Sequence, residues 1–228
     1  MQNESAFKAV VVLSGGQDSA TCLALACRKY GAARVAAITF TYGQRHRVEV
    51  RYARRLANDV FRIGRWKSVA LDFYADLTSN ALFDEHAPIV KPRGAACPNT
   101  VVEGRNAVFL LLASVWAKSL GARAVYTGVS EADFSGYPDC REKFIKAQQK
   151  AIRLALDYPV RIITPFMHMS KADEWALADE LGILDVIRNH TVTCYNGIPG
   201  DGCGTCPACV LRNRGLREFE SAHRRKRQ

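Results

Sequence analysis

The stretch AVVVLSGGQDSATC at residues 9–22 decides the fold of this chain. Its first part, Ala9–Leu13, is short, apolar and rich in β-branched residues, which predicts a buried strand. The serine and two glycines at 14–16 permit a tight turn with positive φ and a close approach of backbone segments. The segment therefore predicts a strand that ends in a glycine turn.

A helix is predicted to follow this turn and to run to Tyr30, with Asp18 and Ser19 supplying its N-cap chemistry. Such a helix N-terminus directs free N–H groups and the positive end of the helix dipole at one point, which predicts a phosphate site. The lysine of G-x-x-x-x-G-K-[ST] is missing, which excludes a Walker loop, and the absence of G-x-G-x-x-G disfavours a dinucleotide fold. The alternative to a phosphate site is an ordinary strand-to-helix turn, which a bare pair of glycines would favour.

The composition is typical of a globular chain of moderate size. Its 228 residues, 48% of them hydrophobic, allow one good-sized core or one core with a small appendage. The longest apolar run, Ala107–Ala117, is too short to span a bilayer, and residues 1–5 lack the features of a signal peptide. We therefore expect a cytoplasmic protein without membrane contact, whose eight cysteines are reduced or metal-bound.

The net charge of +10 suits polyanionic partners such as nucleotides or nucleic acid. Four of the positive charges lie at residues 224–227, which we interpret as a disordered, solvated tail. We therefore do not expect nucleic acid as a partner.

Short apolar runs alternate with helical patterns along the chain. Strands are predicted at residues 8–13, 35–40, 67–72, 124–128 and 160–164, and helices at 19–30, 46–60, 106–120, 142–156 and 171–181. Ser170 and Asp173 predict a capping box at the start of the last helix. This alternation predicts an α/β fold with a doubly wound parallel sheet, whose ligands bind beyond the carboxyl ends of the strands.

Two segments interrupt the alternation. Residues 73–105 lack periodicity and are too long for a simple connection, so we expect an insertion there, for which a lid, an interface arm and a flexible segment are the alternatives. Beyond Ile187 the α/β pattern ends. We predict an α/β domain over residues 1–187 and a metal-binding segment with a basic tail over residues 188–228.

Four cysteines lie close together near the end of the chain. Cys194, Cys203, Cys206 and Cys209 have the spacing C-x8-C-x2-C-x2-C and are separated by glycine-rich turns. Four thiolates in this setting suit a tetrahedral structural Zn²⁺, whose binding would supply folding free energy that the segment lacks in apolar burial. An iron–sulfur cluster is the alternative, although the ferredoxin spacing C-x2-C-x2-C-x3-C-P is not the same.

Several stretches resemble one enzyme family. The turn at 14–19 is similar to the pyrophosphate loop of the N-type ATP pyrophosphatases. Further stretches resemble the 7-cyano-7-deazaguanine synthases of queuosine biosynthesis: FTYGQRH at 40–46, PNT at 98–100, GRN at 104–106, TGVSEADFSGYPDCR at 127–141, and TCYNG through GDGCG at 193–204. The resemblance spans about residues 9–216. Glu103 departs from it, because the family has proline before Gly-Arg-Asn.

The resemblance implies an ATP-dependent C–N ligase. Such an enzyme converts 7-carboxy-7-deazaguanine, ammonium and two ATP into the nitrile, two AMP and two pyrophosphates. The resemblance further implies ATP with Mg²⁺ as co-substrate, one structural Zn²⁺ per chain, and a homodimer.

The same resemblance implies roles for individual residues. The implied catalytic residues are Asp18, Ser19, Arg105 and Lys171. The implied ATP-binding residues are Leu13, Ser14, Gly15, Gly16, Gln17, Asp18, Ser19, Ala20, Thr21, Cys22, Leu23 and Asn106. Carboxylates that accept the N–H donors of a guanine-like edge, and aromatic rings that stack on it, are expected among the substrate-binding residues. These are Gln44, Arg45, Glu131, Asp133, Phe134, Tyr137, Asp139 and Arg141.

Two other functions stay open on the sequence. One is an RNA-modifying member of the same superfamily, such as a tRNA thiolase with an iron–sulfur cluster, which the positive charge favours. The other is a non-catalytic zinc-ribbon protein that binds nucleic acid. It would leave the phosphate turn and most of the α/β domain unexplained.

Overall fold

The computed structural model describes residues 6–44, 48–78, 80–84, 86–89, 99–131 and 137–226. Five strands form one sheet in the order β3-β2-β1-β4-β5, with every neighbouring pair parallel. The strands are β1 (Ala9–Val12), β2 (Val35–Thr41), β3 (Arg65–Ala70), β4 (Ala124–Tyr126) and β5 (Arg161–Ile163).

Eight α-helices accompany the sheet within these ranges. They are α1 (Gln17–Tyr30), α2 (Val48–Arg55), α3 (Tyr74–Leu77), α4 (Arg105–Ser119), α5 (Glu142–Leu156), α6 (Lys171–Glu180), α7 (Leu184–Asn189) and α8 (Pro207–Lys226). Short 3₁₀ turns at Ala32–Arg34 and Pro138–Cys140 and a π-helical turn at Leu56–Val60 complete the elements. No helix in the described parts of the chain is long and apolar enough to cross a membrane.

The central strand β1 is buried on both faces. Val10 packs in one core with Leu110 of α4 and Ile145 of α5. Val11 points to the opposite face and packs with Leu23 of α1 in a second core, to which α2 also contributes. Helices therefore cover both faces of a parallel sheet, as such sheets require, and the predicted doubly wound fold is confirmed.

The start of α1 differs from the prediction. The helix begins at Gln17, and its N-cap residue is Gly16, which has no side chain to cap it. The predicted N-cap role of Asp18 and Ser19 is therefore wrong. Both side chains have other partners: Asp18 pairs with Lys171, and the Ser19 hydroxyl accepts hydrogen bonds from the preceding turn.

The chain beyond residue 187 contains a long helix that the sequence patterns did not predict. This helix, α8, includes residues 224–226, so this part of the predicted disordered tail is helical, although Arg224 and Arg225 are exposed. It packs on α6, where the indole Nε1 of Trp175 donates to the Arg212 carbonyl oxygen at 3.2 Å. The Arg212 guanidinium lies 5.0 Å from the Trp175 ring centroid. The C-terminal segment is thus packed against the α/β body.

Gly215 allows α8 to contact α6 closely. A Cβ at this position would lie 2.8 Å from the backbone carbonyl carbon of Lys171, so one helix would have to move. We expect Gly215→Ala to lower the free energy of unfolding by about 1–3 kcal/mol, despite the higher helix propensity of alanine. Denaturant unfolding measures this change.

Arg217→Ala is the matched control, because Arg217 is exposed on the same helix. Its free energy of unfolding should stay within about 0.5 kcal/mol of the parent value. A Gly215→Ala protein as stable as the parent would contradict the close contact between the two helices.

Candidate active site

The glycine turn after β1 is folded around the hydroxyl group of Ser19. Ser19 Oγ accepts hydrogen bonds from the backbone N–H groups of Ser14 and Gly15, both at 3.2 Å, and donates to the Gly16 carbonyl oxygen at 3.0 Å. Gly15 has a φ of +93°, and a Cβ there would lie 2.6 Å from the carbonyl oxygen of Glu49 in α2. Only glycine suits both this φ and this contact.

Residues 191–195, which connect α7 to the cysteines, lie against this turn. The Val192 N–H donates to the Gly15 carbonyl oxygen at 2.9 Å. The Thr193 hydroxyl accepts from the Gln17 N–H at 3.2 Å. The Thr193 hydroxyl thus accepts from one of the N–H groups that have no partner within α1. A phosphate oxygen is favoured at the same position.

A buried lysine supplies positive charge beside the turn. Lys171, the first residue of α6, places Nζ 2.9 Å from Asp18 Oδ1 and 2.9 Å from Glu174 Oε1. Lys171 is buried, and Glu174 is fully buried. Burial, together with the charge of Asp18, raises the pKa of Glu174 well above its ordinary value, while Lys171 opposes this rise. Two acidic groups therefore hold the ammonium group next to the start of α1.

The carboxyl ends of the strands border a cavity of about 330 Å³ next to the turn. One side of the cavity is aromatic: the rings of Tyr42 and Phe109 are 5.5 Å apart. Tyr137 Oη lies 3.3 Å from Tyr195 Oη. Arg105, which begins α4, donates from Nη1 to Tyr42 Oη at 3.1 Å. The cavity therefore combines an anion-binding turn with a surface that suits a flat ring.

The four predicted metal ligands are brought together. The sulfur atoms of Cys194, Cys203, Cys206 and Cys209 all lie within 4.8 Å of one another. Cys203 Sγ and Cys209 Sγ are 3.9 Å apart, close to the roughly 3.8 Å expected for two thiolates on one tetrahedral zinc ion. The cluster therefore has the geometry of a four-thiolate metal site.

The surroundings of the cluster also suit thiolates. The Thr205 hydroxyl and the Cys206 N–H donate to Cys203 Sγ at 3.4 Å and 3.3 Å. These hydrogen bonds, with Thr205 contributing most, lower the pKa of Cys203 to about 5. Gly202 leaves room for the cluster, because a Cβ there would overlap Cys209 Sγ. The donor set and its surroundings fit zinc.

Residues 8–220 match the model of a protein family described as queuosine biosynthesis protein QueC. The chain belongs to the QueC family. The match covers nearly the whole chain, so the family predicted from the motifs is confirmed. This family, the glycine turn and the four cysteines together support ATP with Mg²⁺ as co-substrate and zinc as the bound metal.

Solved structures that are similar to this QueC-family chain include three synthetases. NMN synthetase from Francisella tularensis has a TM-score of 0.54 at 13% sequence identity, with 98% of this chain and 86% of that chain covered. At this identity the likeness shows the fold alone. An NH₃-dependent NAD synthetase from Campylobacter jejuni has a TM-score of 0.47, 16% identity, and coverage of 81% and 70%. A 4-thiouridine synthetase–RNA complex with bound ATP has a TM-score of 0.49, 19% identity, and coverage of 94% and 52%.

Many of the predicted site residues of the QueC-family chain lie around the cavity. They are Leu13, Ser14, Gly16, Gln17, Asp18, Ser19, Gln44, Arg105, Asn106, Tyr137 and Lys171. Gly15 contacts α2 instead. The remaining predicted residues of α1 are buried in the helix and do not line the cavity: Ala20, Thr21, Cys22 and Leu23.

Three predicted substrate residues lie at helix starts instead of lining the cavity. Asp139 accepts a hydrogen bond from the Asn106 N–H in the first turn of α4, at 2.9 Å. Glu131 accepts from the Glu142 N–H at the start of α5, also at 2.9 Å. Arg141 is exposed at the N-cap position of α5. Arg45, Asp133 and Phe134 lie outside the described residues.

The cavity also contains residues that were not predicted to be site residues, namely Glu49, Phe109, Thr193 and Tyr195. Thr193 and Tyr195 flank Cys194 in the sequence, which is a signal that could have identified them. Glu49 had no such signal, because charged residues are common on the outer face of any helix.

Loss of the lysine beside the turn should destabilise the protein in a pH-dependent way. In Lys171→Met, Glu174 loses its cation, so its raised folded pKa rises further above the unfolded value near 4.5. Parent and variant both lose stability as pH rises above that value, because folded Glu174 retains a proton that the unfolded chain releases. The variant retains this proton to a higher pH, so its deficit relative to the parent grows with pH. We expect a deficit of about 3 kcal/mol at pH 8 and a smaller one at pH 5.

Denaturant unfolding at both pH values measures these deficits. Lys146→Met is the control, because Lys146 is exposed and pairs with Glu142 on the surface. Its deficit should stay below about 0.5 kcal/mol at both pH values. An equal deficit at pH 5 and pH 8 for Lys171→Met would contradict the coupling between Lys171 and Glu174.

Loss of one thiolate should release the metal. Cys203→Ser is expected to purify with far less than one zinc per chain and to unfold at a lower temperature, because metal binding contributes to folding. Elemental analysis and thermal unfolding measure both effects. Cys27→Ser, outside the cluster, should keep its zinc. Stoichiometric iron and a brown colour in the parent protein would contradict a zinc site.

Proposed function

We propose that this QueC-family chain converts 7-carboxy-7-deazaguanine and ammonium into 7-cyano-7-deazaguanine, with two ATP consumed and two AMP and two pyrophosphates released. The observation that carries this proposal is one cavity in which the anion-binding turn, the buried Lys171 and an aromatic wall come together, in a chain of this family. The proposal includes a cytoplasmic homodimer, which is supported by the family alone.

The first half of the proposed reaction makes an amide. A carboxylate oxygen of the substrate attacks the α-phosphorus of ATP, and pyrophosphate leaves. Ammonia then attacks the carbonyl carbon of the acyl adenylate, and AMP leaves with the C–O bond electrons. Adenylation is needed because a carboxylate is otherwise a poor electrophile near neutral pH.

The second half dehydrates the amide. The amide oxygen attacks the α-phosphorus of a second ATP, and pyrophosphate leaves again. Loss of AMP from this adenylated amide and of the two nitrogen-bound protons forms the carbon–nitrogen triple bond. Both oxygen atoms of the original carboxylate end in AMP.

The chain's own groups act mainly by positioning and by charge. The turn and the start of α1 bind the departing pyrophosphate, whose oxygens replace the hydroxyls that the backbone N–H groups of Ser14, Gly15 and Gln17 contact in this structure. Lys171 compensates the negative charge that develops on the phosphates. Asp18, half-exposed beside the turn, would hold Mg²⁺, which shields phosphate charge when it is bound.

The cavity lining and the cysteine cluster have different roles in this proposal. Arg105 and the aromatic residues Tyr42 and Phe109 bind the flat deazapurine, with its carboxylate directed toward the turn. The cysteine cluster, with its metal, has a structural role: it fixes the adjoining residues 191–195 against the turn.

An assay with purified protein tests the proposal. The reaction contains 7-carboxy-7-deazaguanine, ammonium, Mg²⁺ and ATP, and mass spectrometry follows the products. We expect nitrile and AMP from the parent protein, and a decrease in rate of at least about 100-fold in Asp18→Ala.

The control variant for this assay is Asp179→Ala, because Asp179 is exposed near the end of α6, where its neighbour is His223. It should retain the parent rate. AMP release that requires tRNA and yields no nitrile would overturn the proposal in favour of RNA modification.

A further inference from the structure

Two carboxylates line the cavity among the described residues, and one of them has no salt bridge. Asp18 is paired with Lys171. Glu49, in the first turn of α2, makes neither a salt bridge nor a side-chain hydrogen bond within the described parts of the chain. Its cationic neighbour is Arg105, which itself donates to Tyr42. Glu49 is therefore an acceptor group available to a ligand.

The environment of Glu49 favours such a ligand. Burial raises the pKa of its carboxyl group to about 7, and the charge of Arg105 opposes this rise. A partly desolvated carboxylate gains more from N–H donors than an exposed one does, because it has already lost hydrogen bonds to water. The position therefore suits a molecule that offers N–H groups to both carboxylate oxygens.

We infer that Glu49 is the residue that recognises the guanine-like edge of the deazapurine acid, an inference that depends on the proposed function. This edge carries two adjacent donors, the ring N–H and the 2-amino group, next to a carbonyl oxygen. The two oxygens of Glu49 accept from the two donors, and the guanidinium of Arg105 donates to the carbonyl oxygen. One flat ring then provides hydrogen-bond partners for both the Glu49 carboxylate and the Arg105 guanidinium.

The same pair of residues discriminates against an adenine-type ring. The corresponding edge of adenine presents an unprotonated ring nitrogen beside its amino group. That nitrogen would face a carboxylate oxygen, so two acceptors would meet. Glu49 thereby separates the deazapurine substrate from the adenine ring of ATP, which the same enzyme must bind elsewhere.

The position of Glu49 is coupled to the phosphate turn through the backbone. Its carbonyl oxygen lies in direct contact with Gly15, at the site where a side chain would clash. Helix α2 is therefore fixed against the turn that binds pyrophosphate.

The sequence predicted that Glu131 recognises the guanine-like edge, but the surroundings of Glu131 differ from those of Glu49. Its carboxylate accepts from the N–H of Glu142 at the start of α5, and the residue is exposed and does not line the cavity. Of the cavity's carboxylates within the described ranges, Glu49 is the one without an ion pair.

The test compares two substrates in the parent protein and in variants at Glu49. The substrates are 7-carboxy-7-deazaguanine and the analogue that lacks its 2-amino group. We expect the parent to prefer the complete substrate by roughly 10- to 100-fold in kcat/KM, since the analogue leaves a carboxylate oxygen unpaired. In Glu49→Ala the preference should fall to within about 3-fold, while the KM for ATP changes by less than about 3-fold.

Glu49→Gln keeps the side-chain volume and serves as a second variant, whose folding is checked by zinc content and thermal unfolding. Its amide offers one acceptor and one donor, so the preference should also fall. Glu180→Gln, at the exposed end of α6, should keep the parent preference.

The outcomes separate the inference from the proposed function. Nitrile formation by the parent, with an unchanged preference in both folded variants, would overturn the role of Glu49 alone. No nitrile from the parent with either substrate would overturn the proposed function and the inference with it. A preference lost only in the Glu49 variants would support both.

Discussion

Close backbone contact at two glycines determines how this site is built. Gly15 contacts the backbone of α2, and a Cβ at Gly128, just after β4, would lie 2.8 Å from the Cβ of Asp18. No larger residue fits at either position, so β1, α1, α2 and β4 meet at one point. That point is the carboxyl edge of the sheet, where helix N-termini and strand ends direct their polar groups. The proposed binding of the phosphates and of the substrate ring depends on this convergence.

The C-terminal segment completes the site from the other side. Residues 191–195 hydrogen-bond to the turn and are followed directly by the cysteine cluster. Helix α8 then packs on α6, whose first residue is the buried Lys171. A metal bound by the four thiolates would therefore stabilise not only its own loop but also the position of Thr193 and of the lysine beside the phosphates. The metal-binding segment, which has no apolar core of its own, would contribute to the ATP site by holding these residues in place.

The sequence predicted the sheet, the turn and the cysteine cluster, because each depends on local chemistry: apolar runs, glycines and closely spaced thiols. It did not predict α8, since glycines and cysteines directly before it obscured the helical pattern. It also did not predict that Glu49 lines the cavity, because this position depends on α2 packing against Gly15 and not on the neighbours of Glu49 in sequence. Glu131 and Asp139 were predicted to face the substrate, and instead accept hydrogen bonds from N–H groups at the starts of α5 and α4. Long-range packing decides such orientations.

The fate of the carboxylate oxygens of the substrate tests the two proposed adenylations most directly. The substrate is 7-carboxy-7-deazaguanine with both carboxylate oxygens replaced by ¹⁸O, and mass spectrometry reads the phosphate group of the AMP that is released. If the cavity catalyses two successive adenylations, each AMP carries one ¹⁸O and the nitrile carries none. Nitrile formation with ¹⁸O found in water and not in AMP would contradict the direct attack of the substrate oxygens on ATP.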